Sequence, residues 1–451
     1  MRGPDIVPAD IPIETSPLQC DAEEVGLNAD MRPEEAGGLL GILTRYPTFD
    51  ALRYREFRLL WMGQLSSSMG MWMDQVTRGW LMYDLTGSAF DLGLVNAMRL
   101  LPILLLSPLA GTMADRYGRK TQLISDQLTN ASINFLLGTL VITGHVQPWH
   151  VYATGFVAAV LQVFQQPARQ AMVAESVGRS HLTNAIGLNT MVFNLSRSIG
   201  PAVSGAVVAI MGPGGSYIIQ GFIYVFASQW TAQLRIPNKP PTSATGVNAK
   251  PVSFAESTIQ GWRYILGNPT IRSGMIASMI PALLGQPFAV LLPVFARDVL
   301  EVGPEGQGFL LTFMGIGAVI SAVLVASVGD RLPKGKLMTA GMTWYGLALI
   351  VFSHSLWFPL SLAMMLTIGL CNVATNALVQ TVVQAHSPPE LRGRIMGAFQ
   401  QNQLLSNLGA LLAGLIASTW GAQAAVEIMG ISLVSSAVAV FAAVPTVRAL
   451  R

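Results

Sequence analysis

The residues GTMADRYGRK at positions 111–120 decide the fold, because a related stretch, GDRLPKGK, returns at positions 329–336. Each stretch lies at the end of a long apolar run and is rich in glycine and basic residues. The two Asp-Arg pairs are 215 residues apart (330 minus 115). The first apolar runs on either side begin near 57 and 271, a separation of 214 residues (271 minus 57). This repetition indicates two copies of one structural unit.

The composition restricts the class of protein. Of 451 residues, 51% are apolar and only 11% are charged, against roughly 25% charged in soluble domains. The mean hydropathy is +0.49. A soluble enzyme is excluded, and the long unbroken apolar runs exclude an outer-membrane barrel, whose strands alternate. The sequence therefore predicts an all-α membrane protein.

The sequence contains no recognisable catalytic, nucleotide-binding or metal-binding motif. No G-x-x-x-x-G-K-[ST] loop for nucleotide phosphates is found, and no catalytic Ser/His/Asp set is evident. The two cysteines and five histidines have no metal-ligand spacing. We expect no enzymatic activity, no cofactor, no metal and no nucleic-acid partner.

Twelve segments reach the length of about 20 mostly apolar residues that a spanning helix needs. They cover approximately 57–83, 89–113, 121–143, 149–168, 185–211, 215–234, 271–296, 306–328, 336–354, 357–384, 395–419 and 422–445. With this assignment, only Arg297 of the 27 Lys and Arg residues falls in a loop on the outer side. Because inner loops carry the excess of basic residues, we expect both termini to be cytoplasmic, in the inner or plasma membrane of the cell.

Four regions follow from this assignment. Residues 1–50 carry ten acids and three bases, a net charge of −7, and we predict a disordered acidic cytoplasmic tail over 1–52. The N-terminal six-helix half covers 53–234 and the C-terminal half covers 271–451. Between them lies a cytoplasmic linker, 235–270, with an amphipathic helix predicted at 254–266.

These motifs resemble the major facilitator superfamily. The loop at 111–120 is similar to the signature that the superfamily carries between helices 2 and 3. Three further segments resemble the branch that holds macrolide-efflux proteins and the enterobactin exporter; they are PARQA at 167–171, residues 184–205, and PELRGR at 389–394. The resemblance implies two pseudo-symmetric six-helix halves, a monomer, and protons as the coupling ion. Many proton-coupled exporters of the superfamily carry an arginine within helix 4, whereas residues 149–166 contain none.

By resemblance, the loop between helices 2 and 3 is a conformational latch that holds the two halves in the outward-facing state. The alternative is that its charges only set topology. The glycines and the aspartate favour the latch, because topology needs neither. The latch residues are Gly111, Asp115, Arg116, Gly118, Arg119 and Lys120, with Asp330 and Arg331 in the second copy.

Ionisable residues inside spans are costly and mark functional sites. Asp74 and Arg78 lie four residues apart on one helix face. Asp74 and Arg99 lie 13 and 12 residues from Gly87, the centre of the hairpin turn, so we predict that they pair at the same depth. Asp74 would then carry a coupling proton. The alternative is a static ion pair that holds the hairpin. Arg197 and, more weakly, Asp126 complete the predicted charge network.

The remaining candidates are a packing motif and polar stripes. By resemblance, Gly200, Pro201 and Gly205 form the antiporter-type motif of helix 5. Helices 4, 7 and 10 carry amide side chains, and superfamily members line their central cavity with these helices and helix 1. The predicted cavity residues are Met73, Gln162, Gln166, Gln286, Phe288, Asn372, Asn376 and Gln380. The alternative for each amide is a hydrogen bond between helices.

Together these features predict a secondary active transporter that works by alternating access. The expected activity is export of an amphipathic small molecule, such as a drug, a macrolide-like compound or a siderophore, by proton antiport. Uptake of a nutrient or metabolite is the first alternative. A membrane sensor or scaffold without transport is the second, which the charges inside spans disfavour.

Overall fold

The computed structural model describes residues 47–106, 118–235, 254–328, 333–388 and 391–443, and the described chain is helical throughout, with no strand. Twelve membrane-spanning segments are labelled in chain order. The first six are α1 (Arg55–Thr86), α2 (Ala89–Leu106), α3 (Arg119–Ile142), α4 (Pro148–Glu175), α5 (182–211) and α6 (213–232). The other six are α7 (Pro269–Val299), α8 (Gly303–Val328), α9 (Lys334–His354), α10 (Phe358–His386), α11 (392–420) and α12 (Ala422–Ala443).

The helix pair α5 and α6 runs as Leu182–Ala232, 51 residues without a loop. A straight helix of that length would extend roughly 75 Å, more than twice the hydrocarbon thickness of a bilayer. Gly212 divides it, with φ 71 and ψ 174, a backbone conformation that an L side chain rarely adopts. The predicted hairpin between 211 and 215 is therefore made inside a nearly continuous helix.

Eight helical segments of the described chain are long and apolar enough to cross a membrane, with α5 and α6 counted as one. The helices that fall short are α1, α3 and α4. These three contribute most of the polar side chains to the cavity described below, which explains their lower hydropathy.

Two helix pairs within the halves repeat the same close contact. α3 meets α6 where a Cβ added at Gly138 would lie 3.1 Å from Gly214 O. Six helices later, α9 meets α12 where a Cβ at Gly346 would lie 2.7 Å from Gly430 O. Glycine makes the close contact in corresponding helix pairs of the two halves, which are pseudo-symmetric, as the repeated loop predicts.

The halves meet at one end of the bundle. We call this end the turn face, because it carries the short connections at Gly87, Gly144, Gly212 and Gly421. The opposite end, where α6 ends and α7 begins, is the linker face. Near the turn face α2 packs on α11, and a Cβ at Gly93 would lie 2.6 Å from Ala410 O. The symmetry-related pair is α5 and α8, where a Cβ at Gly205 would lie 2.7 Å from Pro304 O.

Two short elements lie at the linker face. A 3₁₀ helix, Pro47–Arg53, buries Ala51 and Leu52 against the N-terminal half, so the end of the segment 1–52 assigned to the tail packs on the bundle. Residues 1–46 lie outside the described chain. The second element is the helix Phe254–Gly267, one residue longer than predicted. It contacts the start of α11, where Trp262 donates to Gln401 (3.0 Å).

Candidate functional site

A polar cavity of about 740 Å³ lies within the N-terminal half. Its charged and polar walls come from α1, α2, α3, α4 and α6. The lining residues are Gln64, Ser67, Ser68, Met71, Asp74, Arg78, Arg99, Asn130, Ile133, Asn134, Ala158, Ala159, Gln162, Gln165, Gln166, Phe193 and Tyr224.

A buried ion pair forms part of the wall. Arg78 donates to both carboxylate oxygens of Asp74, each at 2.9 Å. The remaining guanidinium nitrogen donates to Val151 O (3.0 Å) and Thr154 Oγ1 (2.9 Å) on α4. Such a bidentate pair is strong and geometrically specific. It ties α1 to α4.

The depth calculation predicted that Asp74 pairs with Arg99, whereas in the structure its ion pair is with Arg78. That calculation assumed two straight helices of equal rise. In the structure α2 is interrupted, because its first part ends at Ala97 and helix resumes after a turn at Met98 and Arg99. Arg78 is one turn from Asp74 on the same helix face, so it reaches the carboxylate whatever the geometry of α2. Arg99 still lines the cavity and interacts electrostatically with Asp74 and Arg78.

Asp126 lies nearer the linker face, on α3. Its carboxylate accepts hydrogen bonds from Gln165 and from Asn130 (3.3 Å). Arg169 of α4 interacts with it electrostatically, yet both terminal guanidinium nitrogens of Arg169 are buried without a hydrogen-bond partner. The sequence placed Arg169 outside its fourth span and missed this role; α4 continues to Glu175 and holds it within the helix.

Arg197 of α5 lies over the ring of Trp72, with its guanidinium carbon 5.4 Å from the ring centroid. This cation–π contact is worth about 0.5–2 kcal/mol. Arg197 also interacts with Tyr345 of the C-terminal half. It is absent from the wall of the N-terminal cavity, so the structure separates it from Asp74 and Arg78.

The predicted cavity residues separate into three groups. Gln162 and Gln166 line the cavity. Met73 and Phe288 do not; they are 0% and 1% exposed, and Phe288 packs edge-on against Phe352. In the C-terminal half Asn376 donates to Asn372 O (3.0 Å), and Gln380 is exposed. Gln286, at the start of a 3₁₀ turn in α7, is half-buried and is likewise absent from this cavity.

Only part of the predicted latch can be located. Gly111, Asp115, Arg116, Asp330 and Arg331 lie outside the described residues. Gly118 precedes the first residue of α3, Arg119 pairs with Glu175 of α4, and Lys120 donates to Leu234 O (2.7 Å). These described contacts connect helices within the N-terminal half.

The glycines of helix 5 lie in tight contacts. A Cβ at Gly200 would lie 2.8 Å from the Trp72 Cβ, and Gly205 faces Gly308 of α8. Pro201 contributes its carbonyl oxygen to the same contact, 2.7 Å from a Cβ built at Gly308. The motif therefore places both α1 and the opposite half against α5.

Charged residues join the halves at the turn face. Tyr83 donates to Asp298, and Arg297 pairs with Asp84 (3.1 Å). Arg297 also lies over the Tyr83 ring, 5.7 Å from its centroid. Sequence reasoning missed this cluster, although Arg297 was the single basic residue in an outer loop. The described residues hold no group of three His, Cys, Asp or Glu side chains that could bind a metal.

The two pseudo-symmetric helical halves and a polar cavity with buried charges define a multi-pass membrane transporter that acts on a small molecule and is not an enzyme. The sequence profile of the family described as transmembrane secretion effector, a branch of the major facilitator superfamily, matches residues 46–450. The chain belongs to that family.

Characterised relatives are similar over most of the chain. The staphyloferrin A transporter of Staphylococcus aureus is 24% identical over 374 residues, which cover 81% of this chain and 90% of that protein. The multidrug efflux pump Tap of Mycolicibacterium fortuitum is 26% identical over 375 residues, 81% of this chain and 90% of that protein. Among solved structures, an inward-facing, occupied bacterial homologue of the lysosomal transporter Spinster superposes with a TM-score of 0.68 at 14% identity, covering 87% of this chain and 96% of that one. At this identity the likeness shows the fold alone.

Proposed function

We propose that this protein is a secondary active transporter that exports an amphipathic small molecule, a drug, macrolide-like compound or siderophore, by alternating access and in exchange for protons. The observation that carries the proposal is the polar cavity of the N-terminal half, in which the Asp74–Arg78 pair is buried. A buried ion pair costs more to desolvate than it returns in most proteins, so its place in a cavity wall favours a role in transport.

The contacts at the turn face support alternating access. The contacts described above join the halves there through α2 and α11, through α5 and α8, and through the cluster of Tyr83 and Arg297. If the turn face is extracellular, as the distribution of basic residues predicts, this arrangement is inward-facing. Rocking of residues 53–234 against 271–451 would open the turn face and close the linker face.

The direction of transport is supported by the family description, which names secretion, and by relatives named as efflux pumps. We place both termini and the linker 235–270 in the cytoplasm, the protein in the cell membrane, and one chain in the working unit. The latch loop, 111–120, then lies on the cytoplasmic side, where it would stabilise the outward-facing state.

Proton coupling is assigned to the charged residues within the spans. Asp126 differs from Asp74 in its partners, because amide groups donate to it and, among the residues that the structure describes, no arginine does. Asp74 is bound on both oxygens by Arg78. We therefore propose that Asp126 exchanges the proton while Asp74, Arg78, Arg99 and Arg197 respond to substrate and conformation.

The test is accumulation of a mixed panel in cells that lack their own pumps, with and without the protein and with and without an uncoupler. The panel holds macrolides, lipophilic cations and catecholate siderophores. We expect lower accumulation of one class, abolished by the uncoupler and by Asp126→Asn. Higher accumulation would support uptake instead, and unchanged accumulation of every compound, with the protein shown to be in the membrane, would contradict export.

A further inference from the structure

The wall of the N-terminal cavity has a net charge of +1, because it carries two arginines and one aspartate. Its charged residues are Asp74, Arg78 and Arg99. Asp74 and Arg78 neutralise each other through two bonds of 2.9 Å. Arg99 is left, and within the part of the chain that the structure describes its guanidinium has no hydrogen bond or ion pair. A cation in a low-dielectric cavity requires a counter-charge.

Arg99 also lies where two cavities meet. A second cavity, about 500 Å³, lies between the halves towards the turn face and is lined by α1, α2, α7 and α8. Arg78 and Arg99 line both cavities. Arg78 is held by Asp74 and by α4, whereas Arg99 lies at the turn that interrupts α2. Arg99 is therefore the less restrained of the two cations that line both cavities.

Two residues of the same wall have amide oxygens that accept no hydrogen bond. The amide oxygens of Gln64 and Asn134 are buried without a hydrogen-bond partner, and the two residues are 6% and 4% exposed. Their amide nitrogens are already used, by Ser68 (2.8 Å) and by Asn130 O (2.8 Å). The Asn130 carbonyl can only accept, so its hydrogen bond fixes the Asn134 amide with the oxygen as the unpaired end. An unmet buried acceptor is costly, so a ligand that donates hydrogen bonds here would be favoured.

We propose that the transported molecule is an organic anion whose carboxylate binds Arg99 and whose hydroxyl or N–H groups donate to Gln64 and Asn134. This inference rests on the proposed function and names its substrate class. Lipophilic cations are disfavoured, because Arg99 repels them and Asp74 is already paired. The guanidinium can bind a carboxylate through two parallel hydrogen bonds, which a lysine cannot reproduce.

The test uses cholate, which carries a carboxylate and three hydroxyl groups, against its neutral methyl ester and against tetraphenylphosphonium. Binding is measured to the full chain in lipid nanodiscs. We expect cholate to bind at least tenfold more tightly than the ester. Arg99→Gln should reduce that ratio to about twofold or less, and Arg99→Lys should keep part of it. Arg272→Gln is the matched control, because Arg272 is exposed at the linker-face end of α7 and lies outside this cavity, and it should keep the whole ratio.

Equal affinity for acid and ester, tighter binding of tetraphenylphosphonium, or no saturable binding of either steroid would overturn the proposal. Should Arg99→Gln fail to fold, Gln64→Leu serves instead; it should lower the preference for cholate over lithocholate, which has one hydroxyl group. The two proposals can be contradicted independently. Export of lipophilic cations in the accumulation assay would support export and contradict the anionic substrate. Acid-selective binding without any export would support the anionic substrate and contradict export.

Discussion

The contribution of the Asp74–Arg78 pair to the stability of the fold can be tested with a single substitution. Asp74→Asn removes the anion from a guanidinium that is 3% exposed and leaves that charge without compensation. We expect a loss of about 3–5 kcal/mol in stability, as for other buried pairs that lose one partner. The measurement is unfolding of the purified protein in detergent.

The matched control for that variant is Asp84→Asn, which removes the partner of Arg297 in a pair whose side chains are 43% and 54% exposed. Water already solvates both groups, so the expected loss is about 0–1 kcal/mol. Equal losses in the two variants would mean that the Asp74 pair is solvated through the cavity and is not a structural anchor.

Arg169 gives a second prediction for one residue. Its terminal nitrogens have no hydrogen-bond partner, and Asp126 is the carboxylate that interacts with it electrostatically. Asp126→Asn should therefore lower stability by leaving Arg169 uncompensated, and the double variant Asp126→Asn, Arg169→Gln should recover part of that loss. A double variant no more stable than the single one would show that the two side chains are not coupled.

At this scale the sequence could identify the charges but not their partners. Asp74, Arg78, Arg99 and Arg197 stand out because charge inside a span is rare. Their pairing depends on the turn at Met98 and Arg99, which Pro102 favours because it cannot donate to the carbonyl of Met98 four residues earlier, a signal that the depth calculation did not use. The sequence also could not separate Gln162, which lines the cavity, from Phe288, which lies in the core.

The helices that join the two halves make close contact through glycine, so their fit can be tested element by element. A Cβ at Gly93 would lie 2.6 Å from Ala410 O and 3.2 Å from Gly414 Cα. Gly93→Val should push α2 from α11 at a cost of about 1–3 kcal/mol to the closed turn face. We expect the population to shift towards a state open at that face.

Distances between spin labels at His145 and Leu356, one on each half at the turn face, would report the shift. Both positions are exposed. Gly187→Val is the control, because a Cβ there meets nothing within 4 Å. An unchanged distance distribution for Gly93→Val would show that the contact does not control closure.

Elements were predictable to the extent that apolar length defines them. The twelve segments follow from apolar length, although α1, α3 and α4 have lower hydropathy than the other spans. The linker helix at 254–267 follows from amphipathic spacing. Their ends differ most where polar residues continue a helix, as in α4, which extends to Glu175 beyond the predicted end at 168. Hydropathy detects only the part of a helix that lies in the hydrocarbon core of the bilayer, so it does not detect the polar turns that continue the helix beyond that core.

For the whole molecule, the orientation proposed from basic residues can be measured directly. In a background without Cys20 and Cys371, His145→Cys at the turn face should react with an impermeant maleimide in intact cells. Arg235→Cys at the linker face should react only after permeabilisation. Both positions are exposed in the structure, so burial does not explain a difference. The opposite pattern would invert the topology and turn the proposed export into uptake.

Alternating access requires that the turn face opens once in each cycle, so holding it closed should stop transport. Asp84→Cys and Arg297→Cys replace a pair that joins the halves at 3.1 Å between side-chain atoms. Joining these cysteines with a short, reducible bifunctional reagent should abolish transport, and reduction should restore it.

The control pair is Asp91→Cys and Tyr152→Cys, which replaces a 2.6 Å hydrogen bond within the N-terminal half at the same face. Because residues within one half move together in a rocking mechanism, this cross-link should leave transport intact. Loss of transport in both pairs would mean that the N-terminal half itself deforms during the cycle, and loss in neither would mean that the solute passes without separation of the halves at the turn face.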